Sequence, residues 1–325
     1  MGPRVRLEVH LLPAERRAAL AEEVCAGLSA PFKELSSKWF YDERGSQLFE
    51  QITRLPEYYP TRCEREILQA RAGQIVRLTQ VDTLVELGSG TSEKTRLLLQ
   101  ALAEADQLRR FAPFDVSEPT LRQAAAAIAR EYPRVEVHAV VGDFERHLPY
   151  LPRQGRRLIA FLGGTLGNLK PTARARFLSQ LAAQLGPEDA LLLGTDLVKD
   201  RARLHAAYND PRGVTAAFNL NLLRVLNQEL GGDFQPELFS HLAFFDEANE
   251  WMEMRLVSHR AHRVRLSALP LSAHFDGGEA LRTEVSAKFR PQGVERELAA
   301  AGLTVRAFWT DAGGDFALSL STLSG

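Results

Sequence analysis

The stretch Val85-Glu86-Leu87-Gly88-Ser89-Gly90-Thr91-Ser92 decides the fold of this chain, because a short apolar strand runs directly into a glycine turn. Glycines at such a turn let the backbone approach a ligand at the carboxyl end of a parallel sheet. A dinucleotide site would have a third glycine in the pattern G-x-G-x-x-G. That position is Glu93, whose negative charge is unfavourable beside a pyrophosphate. The acid Glu86 and the short G-x-G favour a cationic sulfonium cofactor instead, although a lone G-x-G is a weak signal.

Acidic side chains also follow the next two predicted strands. Asp115 closes the second strand, where a carboxylate can accept hydrogen bonds from both hydroxyls of a ribose. Asp143 and Phe144 follow the third strand, and they suit an adenine amino group and stacking against its ring. Each acid alone could instead cap the helix that follows it. Acids at three successive strand ends, counting Glu86, together favour S-adenosyl-L-methionine (SAM).

The fourth predicted strand ends in Gly163-Gly164-Thr165-Leu166-Gly167-Asn168. In a sheet of this kind the loop lies over the reactive end of the cofactor. Three glycines and an amide there suggest close approach by a small polar substrate. An ordinary glycine-rich turn is the alternative.

From residue 83 onward, short apolar strands alternate with helices, which is typical of a parallel α/β sheet. The strands are predicted at 83–87, 111–115, 135–141, 158–162 and 190–195, with a C-terminal hairpin of 304–310 and 316–322. The helices are predicted at 14–28, 61–79, 92–105, 118–131, 171–185 and 292–302. Residues 197–283 break this rhythm, although Phe218, Leu222, Leu226 and Leu230 mark one further helix.

The fold class that follows is α/β. It is a Rossmann-like doubly wound sheet with a C-terminal antiparallel hairpin, as in class I SAM-dependent methyltransferases, plus a second α+β lobe. We expect residues 61–196 and 284–325 to form the SAM-binding core. Residues 1–60 and 197–283 are expected to form the substrate-binding lobe.

Composition argues against several function classes. Forty basic and 41 acidic residues give a net charge of −1 with no basic run, so neither nucleic acid nor a membrane is expected as a partner. No apolar run approaches the roughly 20 residues of a membrane helix, and the first residues lack a secretory signal. Cys25 and Cys63 do not make a disulfide framework, which favours the cytoplasm. His259 and His262 would point to opposite faces of a strand, so no metal is expected.

Five longer motifs stand out along the chain. They are Lys38-Trp39-Phe40-Tyr41-Asp42, Leu55-Pro56-Glu57-Tyr58-Tyr59-Pro60-Thr61-Arg62, Glu86-Leu87-Gly88-Ser89-Gly90-Thr91-Ser92-Glu93-Lys94-Thr95, Gly194-Thr195-Asp196-Leu197-Val198-Lys199-Asp200 and Thr283-Glu284-Val285-Ser286-Ala287-Lys288-Phe289-Arg290. Together they resemble the histidine-specific Nα-methyltransferases of ergothioneine biosynthesis. The similarity runs from about residue 30 to the C-terminus, and the long motifs are specific to that family.

The resemblance implies an activity and a set of site residues. The enzyme would methylate the α-amino group of L-histidine three times, through the mono- and dimethylated forms, to hercynine, and SAM would leave as S-adenosyl-L-homocysteine. The implied cofactor site consists of Gly88, Ser89, Gly90, Lys94, Asp115, Asp143 and Phe144. Tyr41 and Asn168 are implied as catalytic residues at the amine. The implied substrate contacts are Asn168 and Tyr208 at the α-amino and carboxylate end, Tyr58, Glu284 and Ser286 at the imidazole, and Phe49, Met254 and Gly163 lining the pocket.

The residues themselves are compatible with these roles. Glu284 and Ser286 lie two apart on a probable strand, so their side chains share a face and could bind the two nitrogens of an imidazole. An exposed strand face is the alternative there, and Tyr58 and Met254 could simply pack in the core. Rival functions are an N-methyltransferase for another aromatic amino acid, a non-catalytic SAM-binding protein and an NAD-dependent oxidoreductase. We expect a monomer.

Overall fold

A computed structural model describes residues 5–325 of the chain. Within these residues the backbone divides into two compact units. The large unit comprises residues 5–11, 60–198 and 289–325, and the small unit comprises residues 12–59 and 199–288. The division expected from the sequence differs from this one mainly at the N-terminus and at residues 284–288.

Strands and helices alternate through most of the large unit, and the elements of both units are numbered together in chain order. In chain order the strands are β1 (Val5–Val9), β2 (Thr83–Leu87), β3 (Arg110–Asp115), β4 (Glu136–Val141), β5 (Arg157–Phe161), β6 (Ala190–Asp196), β7 (Phe239–Asp246), β8 (Trp251–Ser258), β9 (His262–Leu266), β10 (Leu271–Phe275), β11 (Ala280–Ala287), β12 (Leu303–Thr310) and β13 (Phe316–Leu323). The α-helices are α1 (Pro13–Ser29), α2 (Glu43–Thr53), α3 (Pro60–Thr79), α4 (Arg96–Glu104), α5 (Glu118–Glu131), α6 (Phe144–His147), α7 (Pro171–Ala182), α8 (Arg201–Tyr208), α9 (Val214–Leu230) and α10 (Pro291–Ala300). Among the helices of residues 5–325, none combines the length and the apolar character needed to cross a membrane.

The large unit contains an eight-stranded sheet in the order β1-β4-β3-β2-β5-β6-β13-β12. Strands β1 to β6 pair in parallel, while β13 pairs antiparallel with β6 and with β12. β2 and β5 are buried along their whole length, as parallel strands covered on both faces are. The sheet order reverses at β2, and ligands of such sheets bind beyond the carboxyl ends of the strands at that point. The predicted doubly wound sheet with a C-terminal hairpin is confirmed.

The N-terminal strand differs from the sequence prediction, which placed residues 1–60 in the substrate lobe. β1 pairs in parallel with β4, with Val5 opposite Val137 and Val9 opposite Val141. An edge strand of five residues carries little signal of its own, because the partner that orders it lies far along the chain. Helix α4 also begins later than predicted. Ser92 has a left-handed φ of 52°, which a right-handed helix cannot include.

The small unit contains the antiparallel sheet β11-β8-β7 and the separate hairpin of β9 and β10. Helix α9 buries the apolar face that the sequence predicts, with Phe218, Leu222, Leu226 and Leu230 all inside. In the pairing of β11 with β8, Glu284 lies opposite Met254 and Ser286 lies opposite Met252. The boundary expected at residue 284 therefore falls inside β11, and residues 284–288 belong to the small unit.

A buried ion pair at the amino end of the large sheet provides a test of what holds this unit together. Asp189 accepts hydrogen bonds from the Nε and the backbone amide of Arg157, at 2.9 and 2.8 Å. In Asp189→Ala the buried guanidinium would keep its bonds to the carbonyl oxygens of Pro152 and Gln184 but lose its counter-charge. We therefore expect the free energy of unfolding to fall by about 3–5 kcal/mol. Urea denaturation followed by circular dichroism measures this change.

The neighbouring residue supplies a matched control. Glu188 pairs with Arg156 on the surface, and its side chain is mostly exposed. Glu188→Ala should therefore change the free energy of unfolding by less than about 1 kcal/mol. If Asp189→Ala and Glu188→Ala lost equal amounts of unfolding free energy, burial of the Asp189 ion pair would not be what makes it stabilising.

Candidate active site

The turn after β2 has a backbone form that favours glycine. Gly88 and Gly90 have φ values of 68° and 49°, in the left-handed region. The amides of Gly88 and Ser89 donate to the carbonyl oxygen of Phe114 at 2.8 and 3.1 Å, which fixes the turn against the end of β3. A Cβ atom added to either glycine would have no atom within 4 Å beyond its chain neighbours. The space beside the turn is therefore open to a ligand.

Asp115 joins two segments at the carboxyl end of β3. Its Oδ2 accepts a hydrogen bond from the amide of Gly90, and its Oδ1 accepts one from the amide of Ser117, both at 2.9 Å. Burial raises the pKa of this carboxyl, although the backbone hydrogen bonds act in the opposite direction. A carboxylate has about four acceptor positions, so two backbone donors leave capacity for ribose hydroxyls.

Asp143 and Phe144 lie at the carboxyl end of β4. The Oδ1 of Asp143 accepts a hydrogen bond from the amide of Glu145 at 2.9 Å and so caps α6. One oxygen of Asp143 therefore caps a helix, which was the alternative to a role in ligand binding. The binding of adenine by Asp143 stays a prediction. The ring of Phe144 makes edge contacts with Phe161 and Phe177 at centroid distances of 5.3 and 5.5 Å. These contacts hold a half-buried ring in one orientation.

Glu86 is a buried carboxyl directly before the glycine turn. The hydroxyl of Thr95 donates to its Oε1, whereas its Oε2 has no hydrogen-bond partner among the described residues. Burial raises the pKa of Glu86 to about 7, against the effect of the bond from Thr95. The acid that the sequence connects with a cationic cofactor therefore holds its proton more tightly than an exposed glutamic acid does.

Glu64, on α3, is a fully buried carboxylate that the sequence did not single out. One oxygen accepts a hydrogen bond from the amide of Gly163 at 2.8 Å, and the other forms an ion pair with Lys94. The loops that follow β2 and β5 are thereby tied to one helix. A signal was present, because Glu64 interrupts an otherwise largely apolar buried face that includes Ile67 and Leu68. A buried charge on such a face requires a partner.

The loop after β5 begins with two residues in the left-handed region. Gly163 and Gly164 have φ values of 78° and 70°, which glycine adopts more readily than residues with a Cβ. A short 3-10 turn over Thr165–Asn168 follows. Asn168 is half-buried at the end of that turn, in the large unit.

In the small unit, a buried polar network contains two of the predicted substrate residues. The hydroxyl of Tyr208 donates to the Oγ of Ser286 at 2.8 Å, and the Nζ of Lys288 donates to both oxygens, at 3.0 and 2.9 Å. Glu284 is half-buried two residues before Ser286 on β11. Burial raises the pKa of Glu284 to about 7, although the charge of Lys288 acts to lower it.

An aromatic cluster in the small unit brings together three further predicted residues. The ring of Phe49 lies 5.6 Å from that of Tyr41 and 6.2 Å from that of Tyr58, and all three are half-buried. Phe218 of α9 contacts both Tyr41 and Phe49. Met254 is buried on β8, so its packing role is met, and its contact with substrate stays a prediction.

Within residues 5–325, the side chains that come close enough together to share a metal ion do not include His259 or His262. His262 hydrogen-bonds with the carbonyl oxygen of Arg260 at 2.9 Å and stacks on Phe275. A different group, Cys63, Asp311 and Asp315, places possible ligand atoms within 4.8 Å of one another. The carboxylate of Asp311 already accepts three backbone amides of its own turn, so part of this group serves the β12–β13 connection.

The raised pKa of Glu86 predicts a pH dependence of stability. The folded state binds the proton more tightly than the unfolded state, whose pKa is near 4.5. The stabilising contribution is therefore complete below about pH 4.5 and is lost as the pH rises through about 7. Without ligand, the wild type should lose up to about 3 kcal/mol relative to Glu86→Gln over this range. Urea denaturation of both proteins from pH 5 to 8 measures the difference, and parallel stability curves would contradict the assignment.

Comparison with known proteins gives the family. The sequence model of a family described as "Histidine-specific methyltransferase, SAM-dependent" matches residues 20–323. The histidine N-alpha-methyltransferase of Mycobacterium tuberculosis (strain CDC 1551 / Oshkosh) is 56% identical over 98% of this chain and 99% of that protein. The protein of the same name from Mycolicibacterium smegmatis is 57% identical over 93% and 94% of the two chains. Ergothioneine biosynthesis protein 1 of Neurospora crassa is 31% identical over 86% of this chain but only 32% of its own length. The chain belongs to the family of histidine-specific, SAM-dependent methyltransferases.

Proposed function

We propose that this enzyme transfers three methyl groups in succession from SAM to the α-amino group of L-histidine. The mono- and dimethylated amino acids are intermediates, and hercynine is the product used for ergothioneine biosynthesis. The observation that carries the proposal is the similarity to two histidine N-alpha-methyltransferases over nearly the whole chain, which includes the segments of both units. Similarity to two fungal ergothioneine biosynthesis proteins supports the pathway.

The large unit supplies the proposed SAM site. When bound, SAM supplies a methyl group on a positively charged sulfur. Asp115 binds the ribose hydroxyls, Asp143 the adenine amino group and Phe144 the face of the adenine ring. Lys94 pairs with the carboxylate of the methionine portion. The turn of Gly88, Ser89 and Gly90 admits the ligand because no side chain fills the space beside it.

The proposed histidine contacts fall into three groups. Tyr41, Asn168 and Tyr208 hold the α-amino and carboxylate end. Glu284 and Ser286, with Tyr58, hold the imidazole. Phe49, Met254 and Gly163 line the pocket. The hydrogen bond between Tyr208 and Ser286, and the pairing of Glu284 opposite Met254 on neighbouring strands, support these roles because they bring proposed substrate residues together within the small unit.

The reaction requires orientation more than acid–base chemistry. The amine attacks in its neutral form, its nitrogen forms a bond to the methyl carbon, and the carbon–sulfur bond breaks to give a neutral thioether. Well-aligned reactants gain up to roughly 7–11 kcal/mol relative to free solution. Asn168 and Tyr41 act by aiming the nitrogen, and the proton leaves to water or to a hydrogen-bonded tyrosine.

The three successive transfers explain why the other ends of the substrate must be anchored. A neutral primary amine has two N–H donors. The first and second methylations each remove one of them, and the third uses the lone pair of the tertiary amine to form a quaternary nitrogen. Hydrogen bonds donated by the nitrogen therefore weaken from step to step. The imidazole and carboxylate do not change, so Glu284, Ser286 and Asn168 can hold histidine and its mono- and dimethylated forms in the same position.

Replacement of Glu284 tests the substrate assignment. In Glu284→Ala a ring nitrogen of histidine loses its partner, at about 1–3 kcal/mol or more, so kcat/KM for histidine should fall about 5- to 150-fold. Mass spectrometry of the mono-, di- and trimethylated products, with histidine and SAM as reactants, measures it. Tryptophan offered in parallel tests an enzyme for another aromatic amino acid.

A surface acid of the same unit serves as the control. Glu247 pairs with Arg201, and both side chains are mostly exposed. Glu247→Ala should leave the turnover of histidine unchanged. Unchanged turnover in Glu284→Ala would reject the imidazole assignment, and an inactive wild type with both substrates present would reject the proposed function.

Replacement of Asp115 tests the cofactor assignment separately. Asp115→Ala removes the carboxylate proposed to bind the ribose and also releases the amides of Gly90 and Ser117. We expect the Kd for SAM to rise at least about tenfold, as the loss of bonds to a charged group predicts. The Kd for histidine should stay within about threefold of the wild type. Calorimetric titration with each ligand measures both values, and an unchanged Kd for SAM would refute the role.

The remaining expectations are part of the same proposal. The two cysteines are free thiols, which is consistent with a reducing cytoplasm. The displacement needs no redox or Lewis-acid chemistry, so we propose an enzyme that works without a metal. We also propose that the enzyme is a monomer.

A further inference from the structure

Lys288 is a buried cation whose hydrogen bonds involve two of the proposed substrate residues. Its side chain is about 3% exposed, and its Nζ lies 3.0 Å from the hydroxyl of Tyr208 and 2.9 Å from the Oγ of Ser286. The ammonium also lies 4.9 Å from the centre of the Tyr208 ring. Burying a charge is costly unless it is hydrogen-bonded, so a lysine in this position needs these partners. No role for Lys288 follows from the proposed activity alone.

Three hydrogen bonds join the hydroxyls of Tyr208 and Ser286 and the ammonium of Lys288. An ammonium donates hydrogen bonds and never accepts them. Tyr208 donates to Ser286 at 2.8 Å, so the Oγ of Ser286 accepts two hydrogen bonds, one from Tyr208 and one from Lys288. Both lone pairs of that oxygen are then used. The hydrogen of the Ser286 hydroxyl is left to donate away from Tyr208 and Lys288.

We propose that Lys288 is a specificity-determining positioning residue that fixes Ser286 as a hydrogen-bond donor toward the substrate ring. This inference rests on the proposed histidine methylation. The ring nitrogen opposite Ser286 must then offer a lone pair, while the other nitrogen donates its N–H to the carboxylate of Glu284. Glu284 and Ser286 together therefore bind a neutral imidazole, in which one nitrogen is a hydrogen-bond donor and the other an acceptor. Lys288 touches no substrate atom in this scheme and acts through Ser286.

Two isomeric substrate analogues separate this role from simple packing. β-(Pyrrol-2-yl)-L-alanine and β-(pyrrol-3-yl)-L-alanine each keep one of the two ring nitrogens as N–H and replace the other by C–H. In one isomer the N–H faces the carboxylate of Glu284, which can accept it. In the other isomer the N–H faces the hydroxyl hydrogen of Ser286, so two donors oppose each other. The wild type should therefore prefer one isomer by at least about tenfold in kcat/KM, because an unmade bond costs about 1–3 kcal/mol.

Lys288→Met removes the donated bond while keeping a side chain of similar length. Ser286 can then turn a lone pair toward the N–H of the disfavoured isomer, so the isomer preference should shrink at least about threefold. Lys288→Arg keeps a donor and the charge, and it should restore part of the preference. Lys33→Met is the matched control, since Lys33 is a half-buried lysine of the same unit that pairs with Glu279. The control should keep the wild-type preference.

The measured quantity is the ratio of kcat/KM for the two isomers, from mass spectrometry of methylated product. A ratio in folded Lys288→Met equal to that of the wild type would overturn the proposal, whatever happens to thermal stability. If that variant does not fold, Ser286→Ala gives the answer, because removing the hydroxyl must also reduce the ratio. If the wild type methylates histidine but the isomer ratio is the same in the wild type and in the variants, only the role of Lys288 is refuted. A wild type that does not methylate histidine refutes the proposed function.

Discussion

The carboxylate of Glu64 sets the constraint on which the ligand edge of the large sheet depends. It is fully buried and holds the amide of Gly163 and the ammonium of Lys94, which belong to loops after two different strands. Asp115 does the same for the turn at Gly90. The glycines of these loops have no side chains that could form hydrogen bonds, so carboxylates from neighbouring elements bind the amides of Gly90 and Gly163 instead. The edge is open to a ligand and rigid at the same time.

Glu86 and Glu284 have pKa values raised to about 7, and burial is the main cause in both. Their surroundings differ. Glu86 accepts a hydrogen bond from Thr95 and lies near the opposite charges of Lys94 and Asp115, whereas Lys288 is the charge that acts on Glu284. A nearby cation favours the ionised form of a carboxyl group. The charge of each group near neutral pH is thus sensitive to whatever charge binds beside it.

Most of the large unit could be predicted from the sequence, because strong periodicity and turn chemistry coincide there. Asp115 and Asp143 were identified by their position at strand ends, which parallel topology brings to one edge. The strand β1 was not, since an edge strand depends on a remote partner. Glu64 and Lys288 were missed because Gly163 and Tyr208, with which they form hydrogen bonds, lie far away in the sequence. The family resemblance implied Glu284 and Ser286, and their spacing only places them on one face of a strand. The roles of the site residues stay predictions.

The chain passes between the two units four times, at residues 11–12, 59–60, 198–199 and 288–289. Neither unit is therefore a continuous stretch of sequence. Strand β6 gains its antiparallel neighbour β13 only from the last residues of the chain. Until those residues leave the ribosome, β6 presents an unpaired apolar edge, and such edges are prone to aggregation. A protein truncated before β12 should therefore aggregate or stay bound to chaperones of its host rather than accumulate as a smaller stable domain.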